Sequence, residues 1–185
     1  MAFFPIKARV IVLVLLAILF PPFIHQAKNL VGADYQLIRT LCHYSETPKT
    51  CMRCVQSAKD CGKANSLRIA TIIVECINDR ANTLAQKMTT LALETSDQSL
   101  KLLYQRCAQD YGPQIAKKEL ISATQALENQ NYATAESNVL TALNLDLTCH
   151  FDLKSYQKKV PSYVFKVMKT YEELSEAVSR IIEKL

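Results

Sequence analysis

Apolar side chains recur between residues 65 and 185 at alternating steps of three and four, which places them on one face of a helix. The first stripe lies over residues 70–91, and Asn65 can cap the start of its helix. The most regular stripe lies over residues 160–185. The first stripe consists of Ala70, Val74, Ile77, Ala81, Leu84, Met88 and Leu91, and the last of Val160, Val164, Val167, Tyr171, Leu174, Val178, Ile181 and Leu185.

Two further stripes lie between these. One covers residues 100–111 and resumes over 116–127, with Gly112-Pro113 at the interruption. Because the apolar face continues beyond Pro113, we expect a kinked helix there, two separate helices being the alternative. After the polar turn at residues 129–131 comes the third stripe, whose members are Tyr132, Ala135, Val139, Ala142 and Cys149, widened by Leu140, Leu143 and Leu147.

Four amphipathic helices joined by short polar turns predict an all-α protein, an up-down-up-down four-helix bundle over residues 65–185. The stripe residues are expected to form the core of this bundle and not a ligand box. Residues 28–64 are too interrupted for a fifth long helix. Segments 34–44 and 48–57 instead predict a short N-terminal helical hairpin, so that 28–185 forms one domain.

Glycine is scarce in this chain, and its scarcity excludes several classes of protein. The 185 residues contain three glycines, at positions 32, 62 and 112, whereas average usage is about 7%. Six prolines add little turn material, so a β-sandwich or barrel is not expected. No glycine-rich phosphate loop can be built, which excludes Rossmann and P-loop nucleotide sites.

Residues 1–27 predict a secretory signal peptide. Lys7 and Arg9 form a basic start, Val10–Phe20 is an unbroken apolar run, and Pro21 follows it. A membrane anchor is the alternative, but it needs about 20 apolar residues. We therefore expect a secreted protein, with no membrane association after cleavage.

The net charge is modest once the signal peptide is set aside. The whole chain has 22 Lys and Arg against 17 Asp and Glu, a net charge of +5. Without the two cations of the signal peptide, 20 remain against 17, a net charge of +3. This weak and dispersed charge does not predict a nucleic-acid partner.

Seven cysteines in a secreted chain predict disulfides with one thiol left over. A redox site at Cys51-Met-Arg-Cys54 is not favoured, because no βαβ pattern accompanies it. A zinc set of His43 with Cys51, Cys54 and Cys61 lacks the second pair of ligands that such sites carry. We expect neither a metal nor a cofactor.

Local bridges are the simplest pairing of these cysteines. Closing the loop between Cys42 and Cys51 would stabilise the fold by about 2.7 kcal/mol, and Cys54 with Cys61 forms a possible second local bridge. Cys76 lies in an apolar stretch and is expected to be the free thiol. The remaining cysteines, Cys107 and Cys149, lie far apart in the sequence, and a bridge between them would contribute about 4 kcal/mol.

Catalytic apparatus is not evident in the sequence. Of the histidines at 25, 43 and 150, the last two each adjoin a cysteine expected to be oxidised, which leaves no thiolate to activate. No metalloprotease or serine-hydrolase motif occurs. Glu172-Glu173 and Lys117-Lys118 are expected to be solvated helix faces. We do not expect an enzyme.

Several short segments resemble the plant family of invertase and pectin methylesterase inhibitors, in the family's order and across residues 34–185. They are the ten-residue Cys42–Cys51 loop with its Thr-Pro, Cys107 followed by Tyr111, Asn131-Tyr132-Ala133-Thr134-Ala135, Leu140-Thr141-Ala142-Leu143 and Thr148-Cys149. Each segment alone is weak, but their order after a signal peptide is specific. The chain is most similar to the sub-branch labelled as invertase inhibitors by similarity.

The resemblance implies a fold, a set of bridges and a function. It implies a four-helix bundle after a helical hairpin, with bridges Cys42–Cys51 and Cys107–Cys149. It further implies a non-catalytic protein secreted into the plant cell wall, with the vacuole as a second possible location. Such proteins bind a pectin methylesterase, or a cell-wall or vacuolar invertase, in a one-to-one complex that covers its substrate cleft.

This sequence departs from the family in two places. Cys54, Cys61 and Cys76 are additional to the four family cysteines. The Pro-Lys-Phe segment of some invertase inhibitors is replaced by Tyr132-Ala133-Thr134, which weakens the case for an invertase target. A helical bundle without inhibitory activity, serving small-ligand binding, storage or the pollen coat, is the alternative function.

A contact surface for the target enzyme is predicted where the second and third bundle helices meet. Tyr132 is the aromatic side chain there, and tyrosine is common among residues that dominate binding energy, although its place in the stripe also favours a core position. Acidic side chains could make the complex sensitive to pH. The predicted contact residues are Gln125, Glu128, Asn129, Asn131, Tyr132 and Glu136.

Overall fold

A computed structural model describes residues 35–185, and every element in that range is helical. The predicted signal peptide lies outside the described residues. Among the described helices, none is both long and apolar enough to cross a membrane. In chain order they are α1 (residues 35–43), α2 (Pro48–Ser57), a short 3-10 turn (Cys61–Lys63), α3 (Ser66–Glu94), α4 (Gln98–Asp110), α5 (Ala116–Glu128), α6 (Tyr132–Lys154) and α7 (Ser162–Ile182).

The helices from α3 to α7 form the predicted up-down-up-down bundle. α3 packs along α4, α5 and α7, and α6 packs along α5 and α7, which closes the ring. The first predicted stripe is buried along its whole length on α3. Within α7 the last stripe lines the core side, except that Val167 is half-buried and Met168 next to it is fully buried. Outside the helix, Val160 is buried and Leu185 is half-buried.

Polar side chains cap the starts of the first two bundle helices, α3 and α4. Asn65 accepts a hydrogen bond from the backbone N–H of Arg68 and starts α3. Asp97 accepts from the backbone N–H groups of Ser99 and Leu100 and starts α4. Each cap satisfies backbone donors that the first turn of a helix leaves unpaired.

The second stripe is divided between two helices and is not one kinked helix. α4 ends at Asp110 and α5 begins at Ala116. At Gly112 the backbone turns so tightly that an added Cβ would lie 2.9 Å from the carbonyl oxygen of Gln109. Pro113 follows and has no N–H to continue the helix. The apolar face nevertheless continues across the break, since Tyr111 and Ala116 are both buried.

The N-terminal hairpin packs against α3 and α7. Cys42 at the end of α1 is joined to Cys51 on α2, with 5.5 Å between their Cα atoms. The Thr50 hydroxyl donates a 2.7 Å hydrogen bond to Glu173 on α7. The hairpin is therefore held both by its own bridge and by the bundle.

The remaining cysteines correct one prediction. Cys54 is joined to Cys76 on α3, with 6.2 Å between their Cα atoms, and Cys61 is the free thiol. The expected Cys54–Cys61 bridge and the expected free Cys76 are both wrong. The physical reason is that Cys54 lies on the buried face of α2, where it packs against α3, whereas Cys61 lies in the 3-10 turn beyond that helix.

The bridge between Cys107 and Cys149 joins α4 to α6 across the bundle. Their Cα atoms lie 5.7 Å apart, and both residues are fully buried. Arg106 and Asp152 form an ion pair between the same two helices. The pairs Cys42–Cys51 and Cys107–Cys149 in the structure are those that the resemblance implies.

Candidate functional site

The six predicted contact residues lie together around the turn between α5 and α6. Gln125 and Glu128 belong to the last turn of α5, and Asn129 and Asn131 to the connection. Tyr132 and Glu136 belong to the first turns of α6. The first four are exposed, whereas the last two are half-buried. The structure thus brings the six residues to one end of the bundle.

The backbone of this turn is held by a complete set of hydrogen bonds. The N–H of Gln130 donates to the carbonyl of Leu127 at 3.0 Å, and the N–H of Asn131 donates to that of Ala126 at 2.8 Å. These are the two bonds of a Schellman motif, which ends α5. The Asn131 side chain then accepts from the N–H of Thr134 and starts α6. The turn is therefore a rigid feature of the surface.

Tyr132 is both a partial core residue and a partly exposed surface residue, in agreement with the two roles that the sequence suggested for it. It packs against the core with part of its ring while remaining half-buried rather than enclosed. A tyrosine in that situation has few conformations, so it loses little entropy when a partner covers its exposed edge.

Gln130 occupies the left-handed position of the turn, with a φ of 57°. Such a backbone costs a side-chain-bearing residue about 1–2 kcal/mol. We therefore expect Gln130→Gly to stabilise the protein by about 0.5–1 kcal/mol in denaturant unfolding, after the entropic cost of glycine is subtracted. The matched change Gln125→Gly, within α5, should destabilise it by about 1 kcal/mol. A loss of stability in Gln130→Gly would contradict this account of the turn.

A second polar site, which the sequence did not predict, lies inside the bundle between α6 and α7. Asp146 on α6 is fully buried, and its Oδ1 accepts a 2.6 Å hydrogen bond from the Tyr111 hydroxyl. Its Oδ2 has no hydrogen-bond donor among the described residues. The Tyr171 hydroxyl, also buried, likewise has no partner in that part of the chain. Buried polar atoms without partners are rare in native proteins.

His150 and Glu172 complete this cluster at the surface side of Asp146. The Nδ1 of His150 contacts the Oε1 of Glu172, and both side chains are about one-fifth exposed, at 19% and 20%. Glu172 and Glu173, expected to be solvated, are half-buried because α7 turns them towards His150 and Thr50 respectively.

The electrostatics of the cluster are dominated by Asp146. Burial raises the pKa of Asp146 to about 8, and the neighbouring Glu172 charge acts in the same direction, while the Tyr111 hydrogen bond opposes them. Burial and then the charge of Asp146 raise the pKa of Tyr171 as well. Asp146 therefore favours its protonated form at neutral pH in the native protein.

One signal in the sequence could have revealed this cluster. The third stripe passes from Ala142 to Cys149 without an apolar residue at the core position between them. The alternating steps of four and three place Asp146 at that position. Leu147, expected to widen the stripe, is 44% exposed, as is Leu140 at 41%. An acidic residue at a core position is uncommon and indicates a special role.

The fold is similar to those of two solved pectin methylesterase inhibitors. A mutant form of an inhibitor from Arabidopsis superposes with a TM-score of 0.69 at 23% identity, over 80% of this chain and 96% of that chain. An inhibitor from Arabidopsis thaliana superposes with a TM-score of 0.60 at 23% identity, over 80% of this chain and 95% of that chain. No protein-family model and no curated protein matches the sequence. At this level of identity, the likeness establishes a shared helical-bundle fold.

Proposed function

We propose that this chain is a secreted protein inhibitor that binds a pectin methylesterase and covers its substrate cleft. The observation that carries the proposal is the likeness of the whole described bundle to two pectin methylesterase inhibitors. The predicted signal peptide and the three disulfides are compatible with an oxidising, extracellular setting.

The turn between α5 and α6 is the contact surface we propose. Exposed polar side chains surround the half-buried Tyr132 on a backbone fixed by the Schellman motif and the Asn131 cap. A surface that is already ordered pays little conformational entropy when it docks. Such a surface is suited to filling the cleft of an enzyme without rearrangement.

A pectin methylesterase is favoured over an invertase as the target. The two similar structures are both inhibitors of pectin methylesterase. In addition, Tyr132-Ala133-Thr134 stands where some invertase inhibitors carry Pro-Lys-Phe. An acid invertase is therefore the comparison target in the experiment below.

The deciding experiment adds the purified, disulfide-intact protein to a plant pectin methylesterase and, separately, to an acid invertase. We expect inhibition of the pectin methylesterase at a one-to-one ratio. The double variant Glu128→Gln/Glu136→Gln should weaken binding about tenfold or more, because hydrogen bonds to charged groups contribute about 1.5–3 kcal/mol each. Binding is measured by calorimetry alongside residual activity.

Glu94→Gln serves as the matched control, because Glu94 is exposed at the last turn of α3, at the opposite end of the bundle. It should inhibit as the wild type does. Equal binding by the double variant would overturn the contact surface alone. Inhibition of the invertase alone would overturn the target, and inhibition of neither enzyme would overturn the proposed function.

A further inference from the structure

We infer that Asp146, His150 and Glu172 form a binding site for a single divalent transition-metal ion, with zinc as the preferred ion. Each side chain offers one ligand atom, and the three atoms lie within 4.8 Å of one another. This inference is independent of the proposed inhibitory function.

The helices place these three residues without any loop. Asp146 and His150 are four residues apart on α6 and so share one face of it, and Glu172 lies on the adjacent α7. Metal sites in helical bundles are commonly built in this way, from side chains of facing helices that project inward. Because all three residues lie within long helices, the site is rigidly positioned.

The unpartnered oxygen of Asp146 is the observation that points to a ligand. Asp146 is fully buried, and its Oδ2 finds no donor among residues 35–185. The nearby side chains of the cluster add a second carboxylate and an imidazole, so its acceptors outnumber its donors. A buried carboxylate must be neutralised by a proton or paired with a cation. A divalent cation would satisfy Oδ2 and the Glu172 carboxylate together.

The donor set selects the kind of ion. Calcium takes six to eight oxygen ligands, and magnesium keeps an octahedral shell made largely of water and oxygen. One imidazole and two carboxylates instead match the nitrogen and oxygen ligands of zinc. Around a tetrahedral zinc ion, ligand atoms stand roughly 3.3–3.5 Å apart. This spacing falls within the 4.8 Å that contains the three ligand atoms, and it requires His150 and Glu172, now in direct contact, to separate slightly.

The cluster is open enough for an ion to enter. His150 and Glu172 are each about one-fifth exposed, at 19% and 20%, so they form the outer rim above the fully buried Asp146. The Tyr111 hydroxyl holds the inner carboxylate from the other side through its 2.6 Å bond to Oδ1. Such second partners orient metal ligands and strengthen binding. Three protein ligands leave the fourth position to a water molecule or a hydroxyl.

The test uses the purified chain with its disulfides intact, dialysed against EDTA and then into metal-free buffer. Titration with zinc chloride near neutral pH is followed by calorimetry in two buffers of different ionisation enthalpy. We expect the same single saturable site per chain in both buffers, since the three ligand atoms can hold one ion. At a zinc concentration of about 100 times Kd, Tm should rise by roughly 5–10 °C.

Two single variants decide which residues bind. His150→Gln and Glu172→Gln should each weaken zinc binding by more than the roughly 10–100-fold that loss of an outer partner costs. Cobalt in place of zinc should give visible d–d absorption in the wild type and lose it in both variants. Glu172→Gln removes one of two facing carboxylates, so it is expected to fold even if His150→Gln does not.

His43→Gln is the control, because His43 is exposed at the end of α1 and lies outside the cluster. It should bind zinc as the wild type does. Absence of saturable one-to-one binding would overturn the inference, as would unchanged binding in Glu172→Gln or loss of binding in His43→Gln.

Discussion

Replacing Asp146 by asparagine should stabilise the metal-free protein by about 3 kcal/mol more near pH 7.5 than near pH 5. The amide can accept the Tyr111 hydrogen bond with its oxygen, as Asp146 does at Oδ1. Its NH₂ group takes the place of the protonated Oδ2 next to the Glu172 carboxylate and supplies a donor without binding a proton from solvent. The variant keeps the shape of the side chain and removes the need to hold a proton.

The gain should depend on pH in a direction set by the pKa of Asp146. Burial raises this pKa from 3.8 to about 8 in the native state. Below the unfolded pKa both states carry the proton, and the contribution of the group is fully present. As pH rises from about 4 to 8, the unfolded chain releases its proton while the native state retains it. The wild type then loses up to about 1.4 kcal/mol of stability per pH unit from this group.

Urea unfolding of both proteins at about pH 5 and about pH 7.5 would check this prediction. The stability difference between Asp146→Asn and the wild type should increase with pH. Asp79→Asn is the matched control, since Asp79 is exposed on α3 and should show no such increase. A difference that is constant or shrinks with pH would mean that Asp146 is ionised in the native protein.

Removing the bridge between α4 and α6 should have the largest effect on stability. We expect the double variant Cys107→Ala/Cys149→Ala to lose about 4 kcal/mol, because the bridge closes a loop with a sequence separation of 42 residues. Both cysteines are fully buried, so the loss of packing adds to the loss of the cross-link. The corresponding fall in Tm is roughly 8–16 °C.

Calorimetric melting under non-reducing conditions measures this loss. The single variant Cys61→Ala is the control, because Cys61 is half-buried and forms no bridge among the described residues. It should melt within about 2 °C of the wild type. If the double variant had the same Tm as the control, the packing of α4 against α6 would be stable without the disulfide, and the expected contribution of the bridge would be wrong.

The bundle could be predicted from the sequence because its core residues recur at a regular helical spacing. Steps of three and four residues define the buried face of α3 and α7, and the cap residues Asn65 and Asp97 mark two of the helix starts. The sequence also predicted an interruption at Gly112, but it favoured a kinked helix where the structure has two separate helices. Whether a Gly-Pro pair bends a helix or ends it depends on the local backbone conformation. At Gly112 the backbone lies so close to the carbonyl oxygen of Gln109 that the helix ends, and this contact is visible only in the folded structure.

The polar cluster and one disulfide could not be predicted for a related reason. Tyr111, Asp146 and Glu172 belong to three different segments, and their meeting depends on the rotation of α6 against its neighbours. Cys54 and Cys61 are close in sequence, but a helix face directs Cys54 towards Cys76 on α3. Sequence distance is therefore a poor guide to pairing once both cysteines lie on or beside helices.

The up-down arrangement also determines where a tag or a solid support can be attached without covering the proposed contact surface. The turn at residues 129–131 and the last turn of α7 lie at the same end of the bundle, so a tag or support attached after Ile182 would crowd the proposed contact surface. Lys158 and Lys159 lie in the connection between α6 and α7 at the far end, where Lys159 bonds Asp97. Attachment to a support through a unique reactive group introduced at Lys158 would leave the turn at residues 129–131 exposed to the solution.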